Sequence, residues 1–110
     1  MKNPITVLAP IKLASGKTES DLLAASAKFQ AEFVSKQPGV LRRELVRKNA
    51  GEFLDIIQFR SQADFEDVME KEQSSPVCHE FFETMDMDPE AAPDEAIAIF
   101  ESLETYENKV

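Results

Sequence analysis

Four side chains in this sequence could do more than pack: one histidine, one cysteine, and a carboxylate and an amide set in an apolar run. His79 is the only histidine. Its ordinary pKa lies near neutrality, which makes it a natural proton acceptor. It stands in Pro76-Val77-Cys78-His79-Glu80-Phe81-Phe82, where helical spacing puts it on the flank of an apolar face, beside Phe82. The same position also suits a partly exposed structural histidine. Asp55 and Gln58 occupy Phe53-Leu54-Asp55-Ile56-Ile57-Gln58-Phe59. On a strand they point to opposite faces, and each needs a polar partner if its face is buried. For Asp55 the partner is either a cross-strand arginine, Arg43 or Arg47, or a ligand group in a cavity. Gln58 is neutral and could orient a ligand carbonyl or hydroxyl. Phe59, Phe81 and Phe82, with Met69 and Met85, could line an apolar pocket, although core packing accounts for the same pattern. Cys78 has no cation placed beside it in sequence and reads as a small buried residue. The acidic stretch Asp86–Asp94 matches no oxygen-ligand loop and reads as a solvated connector.

The elements that must carry these residues follow from apolar spacing. Ile5, Val7, Ala9, Ile11 and Leu13 alternate as a first strand, with a bulge or break expected at Pro10, which lacks an N–H. Thr18 followed by Asp21 predicts a capped helix running to about Ser35, with Leu22, Leu23, Ala27, Phe29, Phe33 and Val34 as its apolar stripe. Gln37-Pro38-Gly39 ends it. Val40 to Lys48 is a basic strand suited to a sheet edge. Asn49-Ala50-Gly51 turns into the strand that holds Asp55. Ser61, with Asp64 three residues on, caps a second helix with Phe65, Val68 and Met69 inward. Pro76 opens a further helical segment. A last strand is expected over Ala96 to Leu103, followed by a polar tail that Tyr106 could anchor.

The bulk numbers exclude several classes. At 110 residues and 43% hydrophobic content, the chain suits one domain over residues 1–110 with its own core, rather than a disordered segment. A net charge of −9 argues against nucleic acid and against anionic membrane surfaces as partners. No run reaches the roughly 18 apolar residues of a membrane span, and the N-terminus lacks the pattern of a signal peptide. A cytoplasmic, soluble protein is expected. The charge is uneven: Met1–Lys48 holds nine basic and four acidic residues, and Asn49–Val110 three basic and seventeen acidic. Two solvated surfaces of opposite sign explain this; so would docking of Glu101, Glu104 or Glu107 of one subunit on Arg42, Arg43 or Arg47 of another.

Strand, helix, strand, strand, helix, strand is the order of a ferredoxin-like split βαβ fold, an α+β arrangement with helices on one face of a four-stranded antiparallel sheet. The strand from Glu52 to Phe59 is apolar on both faces. Helices cover only one, so a homodimer packing sheet against sheet is the expected way to bury the other.

Three segments, Gln37-Pro38-Gly39-Val40-Leu41, Leu54-Asp55-Ile56-Ile57-Gln58-Phe59-Arg60-Ser61 and Ser75-Pro76-Val77-Cys78-His79-Glu80-Phe81-Phe82, together resemble the antibiotic biosynthesis monooxygenase family of dimeric α/β barrels. The likeness spans roughly residues 3 to 103. It implies a homodimeric barrel and oxygenase chemistry without metal or flavin cofactor on a small aromatic or quinone-type substrate. His79 is then the candidate base, and Asp55, Gln58, Phe59, Phe81 and Phe82 the substrate-binding candidates. A non-catalytic binding or sensor domain, or an isomerase, would use the same fold. The family is also similar to haem-degrading enzymes, which use a first-strand asparagine, a tryptophan and a helical histidine. Here Pro10 stands near the first position, Phe59 replaces the tryptophan, and His79 matches the third.

Overall fold

Period-two alternation lets four segments lie side by side with one face inward. The computed structural model describes residues 3–86, 97–106 and 108. Strands β1 (Ile5–Lys12), β2 (Val40–Asn49), β3 (Glu52–Phe59) and β4 (Ala98–Glu101) form one antiparallel sheet in the order β2-β3-β1-β4. This is the expected ferredoxin-like α+β arrangement. Register runs unbroken from Ile5 opposite Phe59 to Lys12 opposite Glu52. The odd-numbered side chains of β1 and β3 therefore share a face, and Ile5, Val7, Ile11, Phe53, Asp55 and Phe59 are buried on it. Thr6, Leu8, Leu54, Ile56 and Gln58 lie on the opposite face and are half-buried.

Pro10 does not break β1, contrary to the sequence expectation. It pairs with Leu54 in register, and β4 stops opposite Leu8, so no partner on that side asks for the missing N–H. The irregularities fall instead on the edge strand β2, between Val40 and Arg42 and between Arg47 and Asn49. The last strand is shorter than expected: Ser102 to Tyr106 lie outside β4, and Tyr106, 86% exposed, anchors nothing among the described residues. Most of the acidic connector, Asp86–Asp94, lies outside the described residues.

Helices α1 (Glu19–Glu32), α2 (Gln62–Glu72) and α3 (Pro76–Phe82) cover the face of the buried odd-numbered residues. Each starts on a hydroxyl cap. Thr18 Oγ1 accepts from the Asp21 N–H at 3.2 Å while Asp21 Oδ2 accepts from the Thr18 N–H at 2.9 Å, a full capping box. The Ser61 and Ser75 hydroxyls accept from the Asp64 and Cys78 N–H groups, one-sided caps of α2 and α3, the latter with Pro76 in the first turn. The α-helical part of α1 ends at Glu32, and the chain tightens into a 3-10 turn, Val34–Lys36. The inward stripe of α1 differs from the expected one. Leu22, Ser26, Phe29 and Phe33 recur every three or four residues and are buried, whereas Leu23 is 51% exposed and Ala27 is exposed. Leu23 sits a single step, about 100°, off the stripe.

Phe29 of α1 stacks on Phe81 of α3 at 4.6 Å between ring centres, and Phe59 of β3 meets Phe65 of α2 edge to face at 5.3 Å. At the start of β2, the Gly39 carbonyl accepts the Arg60 N–H at 2.7 Å, and a side chain at Gly39 would place its Cβ 2.5 Å from that of Asp64. Only glycine fits where β2 passes the cap of α2. Arg42, Arg43 and Arg47 each hold a carboxylate of their own chain, Glu44, Asp55 and Glu19 respectively. Among the described residues no helix is long and apolar enough to cross a membrane.

Candidate functional site

The most polar point of the interior is built on β2 and β3. Asp55 is 3% exposed on the helix-covered face, and its cross-strand neighbour Arg43 reaches over it. Arg43 Nε donates to both carboxylate oxygens of Asp55, at 3.1 Å each. Nη2 donates to Ser26 Oγ at 2.8 Å, and Nη1 to the Ser26 carbonyl at 3.4 Å and Gln30 Oε1 at 3.5 Å. The guanidinium lies beside the stacked pair of Phe29 and Phe81, its carbon 4.9 Å from the centre of Phe29 and 5.2 Å from that of Phe81. A buried charge is tolerated only when paired and hydrogen-bonded, and here each donor direction has an acceptor or an aromatic face. The sequence places these groups simply: Ser26 on the inward stripe of α1, Phe81 on that of α3, and Arg43 and Asp55 on the same face of adjacent strands.

A second carboxylate, that of Glu72, feels the charges of Asp55 and Arg43 but makes no hydrogen bond or ion pair with either. Glu72 is the last residue of α2, three and four residues beyond Met69 and Val68 on the inward stripe. Burial pushes its pKa up to about 7, the charge of Asp55 adds to the rise, and Arg43 opposes it. Its place at the C-terminal end of a helix, where carbonyls point outward, also disfavours negative charge. Burial raises the Asp55 carboxyl as well, against the pull of Arg43. Cys78 is fully buried, and burial lifts its thiol to about 11; the Ser75 hydroxyl opposes that rise and the charge of Glu72 adds to it. This thiol stays protonated and is no nucleophile.

The other sequence-derived candidates divide between places. Phe81 packs against Arg43, and half-buried Phe82 tilts against Phe29 and Phe81 at 6.5 and 6.1 Å. Phe59 is buried on the same sheet face as Asp55, one turn of the alternation beyond Ile57. Gln58 lies on the opposite face, its amide donating to Ser102 Oγ at 3.4 Å, with Thr6 Oγ1 2.6 Å from the same oxygen. His79 is exposed on α3, its Nε2 2.8 Å from the Gln73 carbonyl. The fold thus brings Asp55, Phe81 and Phe82 to one cluster, and sets Gln58 and His79 apart from it. Sequence reasoning weighed Arg43 only as a structural partner and passed over Ser26 and Glu72. For Glu72 the signal was present: it continues the Phe65, Val68, Met69 stripe at helical spacing. No group of three or more histidine, cysteine or acidic side chains able to hold a metal occurs among the described residues.

The sequence matches the family model described as antibiotic biosynthesis monooxygenase over residues 4–84. The chain belongs to that family. Solved structures carry the same fold. A cofactor-independent oxygenase of Streptomyces nogalater, SnoaB, is 14% identical, with a TM-score of 0.72 over 96% of this chain and 99% of that one. A conserved protein of Methanosarcina mazei is 15% identical, with a TM-score of 0.67 over 92% and 94%. A heme-degrading protein of Mycobacterium tuberculosis is 17% identical, with a TM-score of 0.64 over 98% and 100%. At these identities the likeness is one of fold. No curated protein matches the chain in sequence. Family membership and fold agree in giving a monooxygenase-like domain.

Proposed function

We propose that this chain is a cofactor-independent, monooxygenase-like enzyme acting on a small aromatic or quinone-type substrate, working in the cytoplasm as a homodimer. The observation that carries the reading is the buried Arg43–Asp55 pair, its guanidinium beside the stacked rings of Phe29 and Phe81, a fixed charge in aromatic surroundings. Oxygenation without metal or flavin needs a substrate anion that passes an electron to dioxygen. Such an anion is best formed where water is excluded and counter-charges are held rigid. Removal of a proton from a ring CH2 gives a carbanion. Combination with dioxygen gives a peroxide, and loss of water leaves a ring C=O, with one oxygen atom retained and the other in the water.

The dimer rests on the uncovered sheet face. Leu8, Leu54 and Ile56 are half-buried there, and Phe100 of β4, whose register neighbour is Thr6, is 53% exposed. Burial from full exposure is worth about 1.5–3 kcal/mol per side chain, so each of these partly covered ones gains the remaining fraction of it. A second copy of the same face supplies the cover.

A second reading, a non-catalytic binding domain, is favoured by one observation: Arg43 and Asp55 largely satisfy each other, which leaves few polar groups to converge on a ligand. Oxygen uptake with anthrone and 1,4-naphthohydroquinone separates the two. The oxygenase reading expects one dioxygen consumed per anthrone converted, at a rate proportional to enzyme. Saturable binding of these compounds with no oxygen uptake would leave the binding domain standing.

A further inference from the structure

Resting on the homodimer of that reading, we infer that its two-fold axis runs along the strands. The β4 edge of each copy, with Leu103 beyond it, then lies on the β2 edge of the other, against Leu41 and Arg42. The uncovered apolar side chains are not spread over the molecule. Six large ones are exposed among the described residues: Leu23, Leu41, Ile99, Phe100, Leu103 and Tyr106. All but Leu23 belong to β2, to β4 or to the stretch that follows β4, and β2 and β4 are the two edge strands.

Register gathers three of them at one end of the sheet. Val40, Phe59, Ile5 and Glu101 form one row across it, and Arg42, Gln58, Thr6 and Phe100 the next. Leu41 occupies the irregularity between those rows on β2. On the far edge Ser102 follows Glu101. Its N–H donates to the Pro4 carbonyl at 2.8 Å, and its hydroxyl lies 2.6 Å from Thr6 Oγ1, which fixes the point where Leu103 leaves the sheet. Leu41 and Leu103 thus share an end of the strands but stand on opposite edges, three strand spacings or roughly 14 Å apart. Neither can cover the other within one copy.

A two-fold can pack two sheets face to face in two ways. An axis across the strands lays each edge on itself with its ends reversed, so Leu103 moves away from Leu41 and both stay uncovered. An axis along the strands keeps the ends and exchanges the edges, and Phe100 and Leu103 of one copy come over Leu41 of the other. Charge favours the same choice. Glu101 and Glu104 are exposed and hold no ion pair among the described residues. The exposed charges of β2 are Arg42, Arg47 and Lys48 against Glu44. Arg42 and Arg47 hold Glu44 and Glu19 in exposed pairs, which contribute little and leave Arg42 open to a second carboxylate. Exchanged edges set acid on base at two equivalent places; self-paired edges crowd the glutamates of both copies together.

Thiol cross-linking and sedimentation test the axis, and the native thiol, Cys78, is buried and silent. Facing sheets lie about 10 Å apart, so a bismaleimide of roughly that span is expected to convert Leu41→Cys/Leu103→Cys to covalent dimer, and neither single variant. An equimolar mixture of the two single variants should link in about half of its dimers. Arg42→Glu and Glu104→Arg should each weaken dimerisation about tenfold, and mixing the two should restore wild-type affinity, because both contacts of the mixed dimer are then of opposite sign. Single variants that link as fully as the double one overturn the inference. A wild-type dimer with no 41–103 link and no rescue on mixing overturns it too, and leaves the homodimer intact. A wild type that sediments as a monomer at every concentration overturns the homodimer itself, and this arrangement with it.

Discussion

The two faces of the sheet solve opposite problems. The helix-covered face admits charge, and it spends two strands, two helices and two aromatic rings on satisfying one arginine and one aspartate. The other face carries Leu8, Leu54, Ile56 and Phe100 around a small polar group, Thr6, Gln58 and Ser102, with the exposed Arg42–Glu44 ion pair on its β2 edge opposite Gln58 and Ile56, and no helix over them among the described residues. One face is closed within the subunit, and the other is uncovered among the described residues. The difference teaches where to look for chemistry: rigid polar groups belong to the closed face, and assembly to the open one.

Three perturbations would break or sharpen that contrast. The largest effect is expected from Arg43→Met, which leaves Asp55 buried without a counter-charge. A loss of about 3–5 kcal/mol in urea unfolding is expected, recovered in large part by adding Asp55→Leu. A loss below 1 kcal/mol would show that the pair is not a closed unit. Next comes Ile56→Glu, on the open face. Sedimentation should show dimer association weakened by a hundredfold or more, about 2.8 kcal/mol, with the far-UV spectrum of the folded chain unchanged. A variant that dimerises as wild type does would remove the open face from the assembly.

The smallest effect is that of Glu72→Gln on stability. The folded-state pKa of Glu72, about 7, lies above the ordinary carboxylate value, so the folded chain holds that proton more tightly than the unfolded one. Its contribution to stability is fully present at acid pH and is lost as pH rises through about 7. At pH 8 the glutamine variant should therefore be more stable than wild type by roughly 1–2 kcal/mol, after allowance for solvent near the carboxyl, and the gap should close by pH 5. Parallel pH profiles of the two proteins would show that folding leaves this carboxyl unshifted.

How much of this was legible in the sequence depends on range. Local chemistry read well: Thr18 with Asp21, and Ser61 with Asp64, cap their helices as their spacing required. The sheet order followed from element order and connection rules. Asp55 was seen to need a partner, and Arg43 was one of two arginines in reach across the strand. The errors came where packing decides. Leu23 was counted inward because it is apolar, although Ser26 holds the inward position to meet Arg43. Glu72 was passed over because a charged residue at the end of a helix is ordinarily solvated. The stripe of Phe65, Val68 and Met69 that it continues was legible in the segment; how far that stripe's end is buried is a property of the tertiary layer. His79 drew attention by residue type, and type alone does not say which side of α3 a ring occupies.

The guanidinium of Arg43 gathers Ser26, Gln30, Asp55 and Phe81, residues drawn from separate stretches of chain. None of its contacts can form within a single helix or hairpin, apart from the cross-strand pair with Asp55. The cluster is thus assembled only when α1 and α3 have both docked on the sheet, at high contact order. Amides of β2 and β3 around Arg43 and Asp55 should then exchange with solvent only through global unfolding, so that the site has no partly folded precursor and appears whole or not at all.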